Sequence, residues 1–313
     1  MKGLRTFAAS LLACAATAHA APGGALPPEA GSCKPVPAAY VREARAAYRT
    51  AAYAAGTNSV IGKYSREDPF GPDARLDEPG GGVRPDQPIV WRVNGLRNVR
   101  DVGGWTGLRT GRIYRGSELS RVPGFADGID PETRRIVRDV WNLATDFDLR
   151  GNSAWGIRDY GNTNLVELQS FGVPKLSFAF PSYLGLFKYP QIVSAALKAL
   201  AKPETYPTYI HCAGGADRTG SLIFILEALC GVPEADIDVD YELTSFAQVF
   251  GLRNRFRHLT LDFLAFKDAF RAYRGATLQE QVATACRETF GLAQAEIDSI
   301  RRLLKEEDHH IQP

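Results

Sequence analysis

No run in this sequence reaches the roughly 18 apolar residues that a membrane-spanning helix requires; the first apolar stretch, Phe7 to Ala16, is much shorter. The chain is therefore expected to make no stable membrane insertion. Histidine is scarce as well: the five present form no set at metal-ligand spacing, and His309-His310 reads as a solvated end. Neither a metal nor a cofactor is expected. Charge of one sign is also missing, with 37 Lys and Arg against 35 Asp and Glu. Once Lys2 and Arg5 are set aside with the leader described next, the two signs balance. A neutral balance gives no basis for nucleic acid as a partner.

Lys2 and Arg5, the short apolar stretch and then Ala18-His19-Ala20 form a charged start, an apolar core and a small-residue cleavage site. Residues 1–20 are expected to be a signal peptide, with a mature chain that begins near Ala21 and is periplasmic or secreted. Lipid attachment at Cys14 is the alternative. Of five cysteines, Cys14 would leave with the leader, and Cys33, Cys212, Cys230 and Cys286 would remain in a compartment that permits disulfides. If Cys212 must stay a thiol, at most one pair can form. Cys230 is a poor partner for Cys212, because a helix between them would carry it away at about 1.5 Å per residue.

Residues 21–88 read as an N-terminal helix, about Pro37 to Ala55, followed by a linker rich in Pro and Gly. Residues 89–313 read as the catalytic domain. Strand-like runs at Ile89 to Arg92, Arg112 to Arg115, Thr145 to Leu149, Lys175 to Phe180 and Thr208 to His211 alternate with helical patterns starting at Asp130, at Pro190 and just after Asp217. Such alternation predicts an α/β fold with a mainly parallel central sheet flanked by helices. The last 80 or so residues read as helical, closing on Ile297, Ile300, Leu303 and Leu304.

The chemistry concentrates in His211-Cys212-Ala213-Gly214-Gly215-Ala216-Asp217-Arg218-Thr219-Gly220, between a strand and a helix. Exposed amides of such a turn and the positive end of the following helix make a socket for a tetrahedral anion. Small residues at Ala213, Gly214, Gly215 and Ala216 let the backbone approach the anion's oxygens. The same field favours a thiolate at Cys212, which makes it a nucleophile. Arg218 stands at the spacing that turns its planar guanidinium onto two phosphate oxygens. Thr219 is placed to hydrogen-bond the sulfur, and His211 to fix the turn rather than to act as a base.

These residues resemble the signature loop of the protein tyrosine and dual-specificity phosphatase superfamily. Asn98-Val99-Arg100-Asp101-Val102-Gly103-Gly104, then Gly111-Arg112-Ile113-Tyr114-Arg115-Gly116-Ser117, Asp148-Leu149-Arg150 and Asp240-Tyr241-Glu242-Leu243-Thr244-Ser245 resemble, in order, motifs of its bacterial secreted tyrosine phosphatase family. The resemblance spans residues 89 to 306. It implies a phosphatase-like fold and hydrolysis of a phosphorylated protein or small phosphomonoester through a cysteinyl-phosphate. A phosphoinositide phosphatase and a non-catalytic phosphate-binding module are the alternatives. The family usually has lysine where this chain has Ala216, which makes the socket less cationic.

A general acid eases departure of the leaving oxygen. In most of the superfamily it is an aspartate some 30 to 40 residues before the cysteine, yet Phe178 to Tyr189 contains no Asp or Glu. Two candidates remain. Asp217 lies in the loop itself, where the related enzymes carry an aspartate; its rival role is pairing with Arg100 or Arg150. Asp148 ends a strand and equally suits a buried ion pair. Arg100 and Asp101 either line the site or hold the turn at Gly103-Gly104.

Overall fold

The computed structural model describes residues 32–35, 38–48, 89–93, 96–104, 106–118, 139, 141–151, 172–246 and 261–305. In chain order its elements are β1 (Ser32–Pro35), α1 (Ala38–Tyr48), β2 (Ile89–Val93), β3 (Leu96–Asp101), β4 (Ile113–Gly116), β5 (Thr145–Asp148), β6 (Lys175–Ser177), α2 (Pro190–Leu200), β7 (Thr208–His211), α3 (Asp217–Leu229), α4 (Glu234–Glu242), α5 (Leu261–Ala269), α6 (Leu278–Glu288) and α7 (Gln294–Leu304). They form one sheet in the order β1-β2-β3-β4-β7-β5-β6. Strands β4, β7, β5 and β6 run parallel. On the far side of β4 the sheet continues through β3, β2 and β1 in antiparallel steps.

The parallel strands β4, β5 and β7 are buried along their whole length, all four residues in each, a state that requires cover on both faces and hence flanking helices. This is the expected α/β architecture with a helical C-terminal part. Strand β3 is not among the expected strands. Its polar residues hide the pattern: Asn98 and Arg100 are buried beside Val99, and hydrogen bonds rather than apolar contacts accommodate them.

The helices follow their apolar spacing. Pro190 opens α2, where its missing N–H costs nothing, and Val193, Ala196, Leu197 and Leu200 face the core. Every residue of α3 from Thr219 to Leu229 is buried, so this helix is enclosed by α6, α7 and the sheet rather than lying on the surface. Ile297, Ile300, Leu303 and Leu304 are the buried face of α7, as their spacing predicts. The chain before residue 89 also contributes: β1 pairs with β2, and α1 buries Val41 and Ala44 while Arg45 meets Asp236 of α4 in an ion pair. Strand β1 thus joins the sheet, and α1 packs against α4, from the segment read as an N-terminal helix and linker.

Among the described residues no helix is long and apolar enough to cross a membrane. The leader with Cys14, the linker at 62–88, the helix expected at Asp130 and His309-His310 lie outside the described residues. Cys212, Cys230 and Cys286 are free thiols.

Candidate active site

Strand β7 ends at His211, between β4 and β5, and hands the chain to the loop that precedes α3. The loop's shape is set from outside. Asn98 Nδ2 donates to the carbonyls of Gly214 and Gly215 at 3.2 and 3.0 Å. Arg115 Nη2 donates to Gly215 O at 2.9 Å, and the amide of Glu118 to Ala213 O at 3.2 Å. With these carbonyls held by the scaffold, the loop has its amides left to make an anion socket. Gly215 has φ +66°, and a Cβ there would stand 2.3 Å from Gly116 O; both the conformation and the close approach require glycine. Helix α3 then begins on Ala216, with no side chain capping its first turn. The uncapped N-terminus of this 13-residue helix offers N–H groups without helical partners and a positive dipole end.

Behind the loop lies a buried charged layer. Arg100 Nε donates to Asp240 Oδ1 at 2.8 Å and its Nη2 to Asp240 O at 2.7 Å, while Arg115 Nη1 pairs with Asp240 Oδ2. Arg100 Nη1 also donates to Asn98 Oδ1 at 2.6 Å, which orients the amide that holds the loop. Burial would raise the pKa of Asp240, but the two guanidiniums hold it below the usual carboxylate value. Glu227 is also buried here, and burial, aided by the charge of Asp240, pushes its carboxyl well above the ordinary value. Two guanidiniums thus share the Asp240 carboxylate directly behind Gly215. Arg100 lies in this layer rather than in the mouth of the site. Asp101 holds the turn, accepting from the amides of Gly103 and Gly111 at 2.8 and 2.6 Å.

Cys212 sits at the base of the socket, 3% exposed. Burial alone would push its thiol up, but the charge of Arg218 and the hydroxyl and amide of Thr219 outweigh it, and the net direction is down. The buried Thr219 hydroxyl has no hydrogen-bond partner among the described residues, which leaves it available to donate to a Cys212 thiolate. Arg218 is half-buried, and its Nη1 lies 3.4 Å from Leu149 O, at the end of β5. His211 is fully engaged: Nε2 is 2.9 Å from Asp146 Oδ1 and Nδ1 is 3.3 Å from Cys212 O. Burial lowers the His211 pKa, yet the two neighbouring carboxylates, Asp146 and Asp148, bring it above the ordinary value. It therefore fixes the turn through both ring nitrogens.

The two acid candidates separate. Asp217 is half-buried on the first turn of α3, and the Tyr183 hydroxyl donates to its Oδ1 at 2.5 Å. Arg100 and Arg150, the pairing partners weighed for it, are engaged with Asp240 and with Asp148 and Glu118. Asp148, the other candidate, has the surroundings of the buried ion pair weighed as its alternative role. It lies 1% exposed between Arg150 Nε at 2.9 Å and Lys175 Nζ at 2.8 Å. Burial would raise its pKa, but His211, Arg150 and Lys175 drive it far below the carboxylate range. A group so firmly ionised has no proton to deliver near neutral pH, and its place is that of an ion pair bracing the end of β5.

Tyr183 and Tyr241 are functional candidates that the sequence does not single out. Phe178 to Tyr189 lacks a carboxylate, and the polar group it brings to the site is a phenol. Tyr183 has φ +52°, an uncommon conformation for a bulky residue and a sign of strain held by the surroundings. Arg115, Asn98 and Asp240 fall in the motifs named above, but their joint role behind the loop needs the third dimension. A cavity of about 740 Å³ opens at the opposite end of α3, beside Cys230, Arg287, Arg301 and Lys305. Its cations complement the helix's carbonyl end, where Arg301 Nε donates to Leu229 O at 2.8 Å. It is separated from the socket by the length of α3, about 20 Å.

A family model described as "Tyrosine phosphatase family" matches residues 91–306. No curated protein matches the chain. Among solved structures the chain is similar to the core catalytic domain of the PP-IP phosphatase SIW14 from S. cerevisiae in complex with citrate, at 16% identity over 58% of this chain and 86% of that one, with a TM-score of 0.35. A second structure, of the Siw14 catalytic core, is 19% identical over 51% of this chain and 86% of that one, with a TM-score of 0.32.

Proposed function

The chain belongs to the tyrosine phosphatase family, and from that premise we propose that it hydrolyses phosphomonoesters, phosphotyrosine foremost, through a cysteinyl-phosphate on Cys212. The observation that carries the reading is the arrangement of Cys212, lowered in pKa, on a loop whose carbonyls from Ala213 to Gly215 are drawn away from the socket. In the first step the Cys212 thiolate attacks phosphorus while the amides of Ala213 to Thr219 and the Arg218 guanidinium hold the phosphoryl oxygens. The P–O bond to the leaving group breaks, and Asp217 gives that oxygen its proton. In the second step water attacks the cysteinyl-phosphate, losing its proton to the Asp217 carboxylate. The S–P bond breaks, Thr219 stabilises the departing thiolate, and inorganic phosphate leaves.

The socket amides and Arg218 supply the charge stabilisation that a metal supplies elsewhere, so the reaction is proposed to need none. Ala216 in place of lysine supports a monoester over a multiply phosphorylated ligand. Leu184, an exposed large apolar side chain at 51% exposure on the loop that carries Tyr183, supports an aromatic ester. The leader at residues 1–20 supports export and the secreted bacterial branch of the family.

Purified protein should hydrolyse p-nitrophenyl phosphate in EDTA, and Cys212→Ser should abolish turnover. Phosphotyrosine peptides, phosphoserine peptides and phosphoinositides assayed side by side should rank in that order. An active serine variant, or loss of activity in EDTA, overturns the mechanism; a preference for phosphoinositides overturns the substrate assignment.

A further inference from the structure

The loop that in most of the superfamily carries the general acid has no carboxylate in this chain, yet it is bound to the start of α3 at two points. The Tyr183 amide donates to Ser221 Oγ at 2.9 Å, and Ser221 Oγ donates to the carbonyl of Asp217 at 2.8 Å. The Tyr183 hydroxyl reaches Asp217 Oδ1 and lies 2.6 Å from the Tyr241 hydroxyl. Tyr241 is itself immobilised: it is buried on α4, and its ring stacks on Phe263 with centroids 3.8 Å apart. Four residues on, Phe187 inserts among Phe270, Phe290 and Phe266, at centroid distances of 5.1, 5.8 and 6.4 Å. The positive φ of Tyr183 is what a loop needs to turn a phenol onto a neighbouring helix while the following residues remain pinned in the core.

We propose that Tyr183, held by Tyr241, is the positioning residue for Asp217, so that this loop supplies not the general acid but the group that orients it. The inference rests on the reading of Asp217 as the acid. With Oδ1 accepting from the phenol, the proton to be delivered is carried on Oδ2, which removes the wrong tautomer and the rotation that would exchange the two oxygens. Among the groups that face this carboxylate is the Tyr183 hydroxyl, itself held by Tyr241, and the charge of Asp217 is felt at Cys212. When Asp217 has given up its proton, the phenol's hydrogen bond stabilises the carboxylate that remains. Tyr183 does not lose its own proton in this scheme; burial and the neighbouring Tyr241 and Asp217 push its pKa up.

The test compares Tyr183→Phe, Tyr241→Phe and Asp217→Asn on p-nitrophenyl phosphate, whose leaving group needs little help, and on phenyl phosphate, whose leaving group needs much. Tyr183→Phe should lower kcat for phenyl phosphate by roughly 10-fold or more and change that for p-nitrophenyl phosphate several-fold less, with KM within about 2-fold. Tyr241→Phe should do the same more weakly. In the double variant Tyr183→Phe/Asp217→Asn the phenyl phosphate rate should fall no further than in Asp217→Asn. The rate of Cys212 alkylation by iodoacetate should be unchanged in Tyr183→Phe. If Asp217→Asn discriminates between the substrates and Tyr183→Phe does not, the positioning inference alone is overturned. Loss of both substrates equally, together with slower alkylation, would make Tyr183 a structural support of the socket and also overturn it. If Asp217→Asn shows no discrimination, the acid assignment and this inference fall together.

Discussion

Replacing Asp240 by asparagine removes the one carboxylate that two wholly buried arginines share. Arg100 and Arg115 are each 0% exposed and Asp240 is 1% exposed, so water cannot take the lost partner's place. Breaking a buried pair in this way costs about 3–5 kcal/mol, against a total stability of roughly 5–15 kcal/mol for a domain. One group opposes the full loss. Burial first, and Asp240's own charge next, push the Glu227 carboxyl up; with that charge gone, the pull of Arg115 and Arg100 remains and its carboxyl becomes easier to ionise. Asp240→Asn alone should therefore fall at the lower end of the range, and Asp240→Asn/Glu227→Gln at the upper end. At about 2–4 °C per kcal/mol for a domain of this size, the thermal midpoint should drop by roughly 6–20 °C. Circular dichroism melts and urea titrations at pH 7 measure both, with Glu288→Gln, the exposed partner of Arg274, as a control that should not shift. The pH dependence has a fixed sign. Because Asp240 has a folded pKa below its unfolded one, near 4, its stabilisation is complete above that value and is lost as pH falls through the folded value. In the Glu227→Gln background, the stability gap opened by Asp240→Asn should be flat from about pH 5 to 8 and close only in stronger acid. A loss below about 1 kcal/mol in the double variant, or a gap that widens as pH falls, would refute the account of the charged layer.

Three further outcomes follow from the site. Gly215→Ala places a Cβ 2.3 Å from Gly116 O at φ +66°; the backbone must shift by up to about an ångström, and kcat should fall on the order of 100-fold with phosphate binding weakened, as steady-state kinetics and phosphate inhibition will read. Asp148→Asn removes hydrogen bonds to Arg150 and Lys175 and should cost about 1.5–3 kcal/mol in urea titrations, with kcat for good and poor leaving groups reduced alike; selective loss on poor ones would restore Asp148 as the acid. Iodoacetate alkylation of Cys212 should reach half its maximal rate below the ordinary thiol value, and Arg218→Met, which removes the largest lowering influence, should move that midpoint to higher pH; an unmoved midpoint would count against the assigned electrostatics.

The socket is legible in the sequence because everything it needs is contiguous: a strand, small residues and a helix start within ten positions. The same contiguity makes the parallel strands and the enclosed helix α3 readable from their apolar runs. What supports the socket is not legible. Arg100 and Arg115 meet Asp240 across separations of 140 and 125 residues, and polar strands such as β3 become core only through such partners. Asp148 illustrates the converse: one aspartate before Leu149-Arg150 looks the same in sequence whether it donates protons or braces a strand. The ion-pair surroundings appear only when Lys175 arrives from β6 and His211 from β7. Tyr183 is hidden because a loop expected to bear a carboxylate draws attention to carboxylates, and nothing in its neighbours announces a left-handed tyrosine.

The contact between Gly215 and Gly116 bears on how this loop can change in evolution. A Cβ on Gly116 would meet the Tyr209 hydroxyl at 2.3 Å and Val99 Cγ2 at 2.8 Å, while Tyr209 in turn donates to Ser117 O at 2.7 Å. Alanine at 116 thus becomes accessible once Tyr209 is phenylalanine and Val99 is smaller, so order of mutation matters there. No side-chain change relieves position 215, whose obstacle is the Gly116 backbone itself. The loop is thus locked at Gly215 by backbone alone.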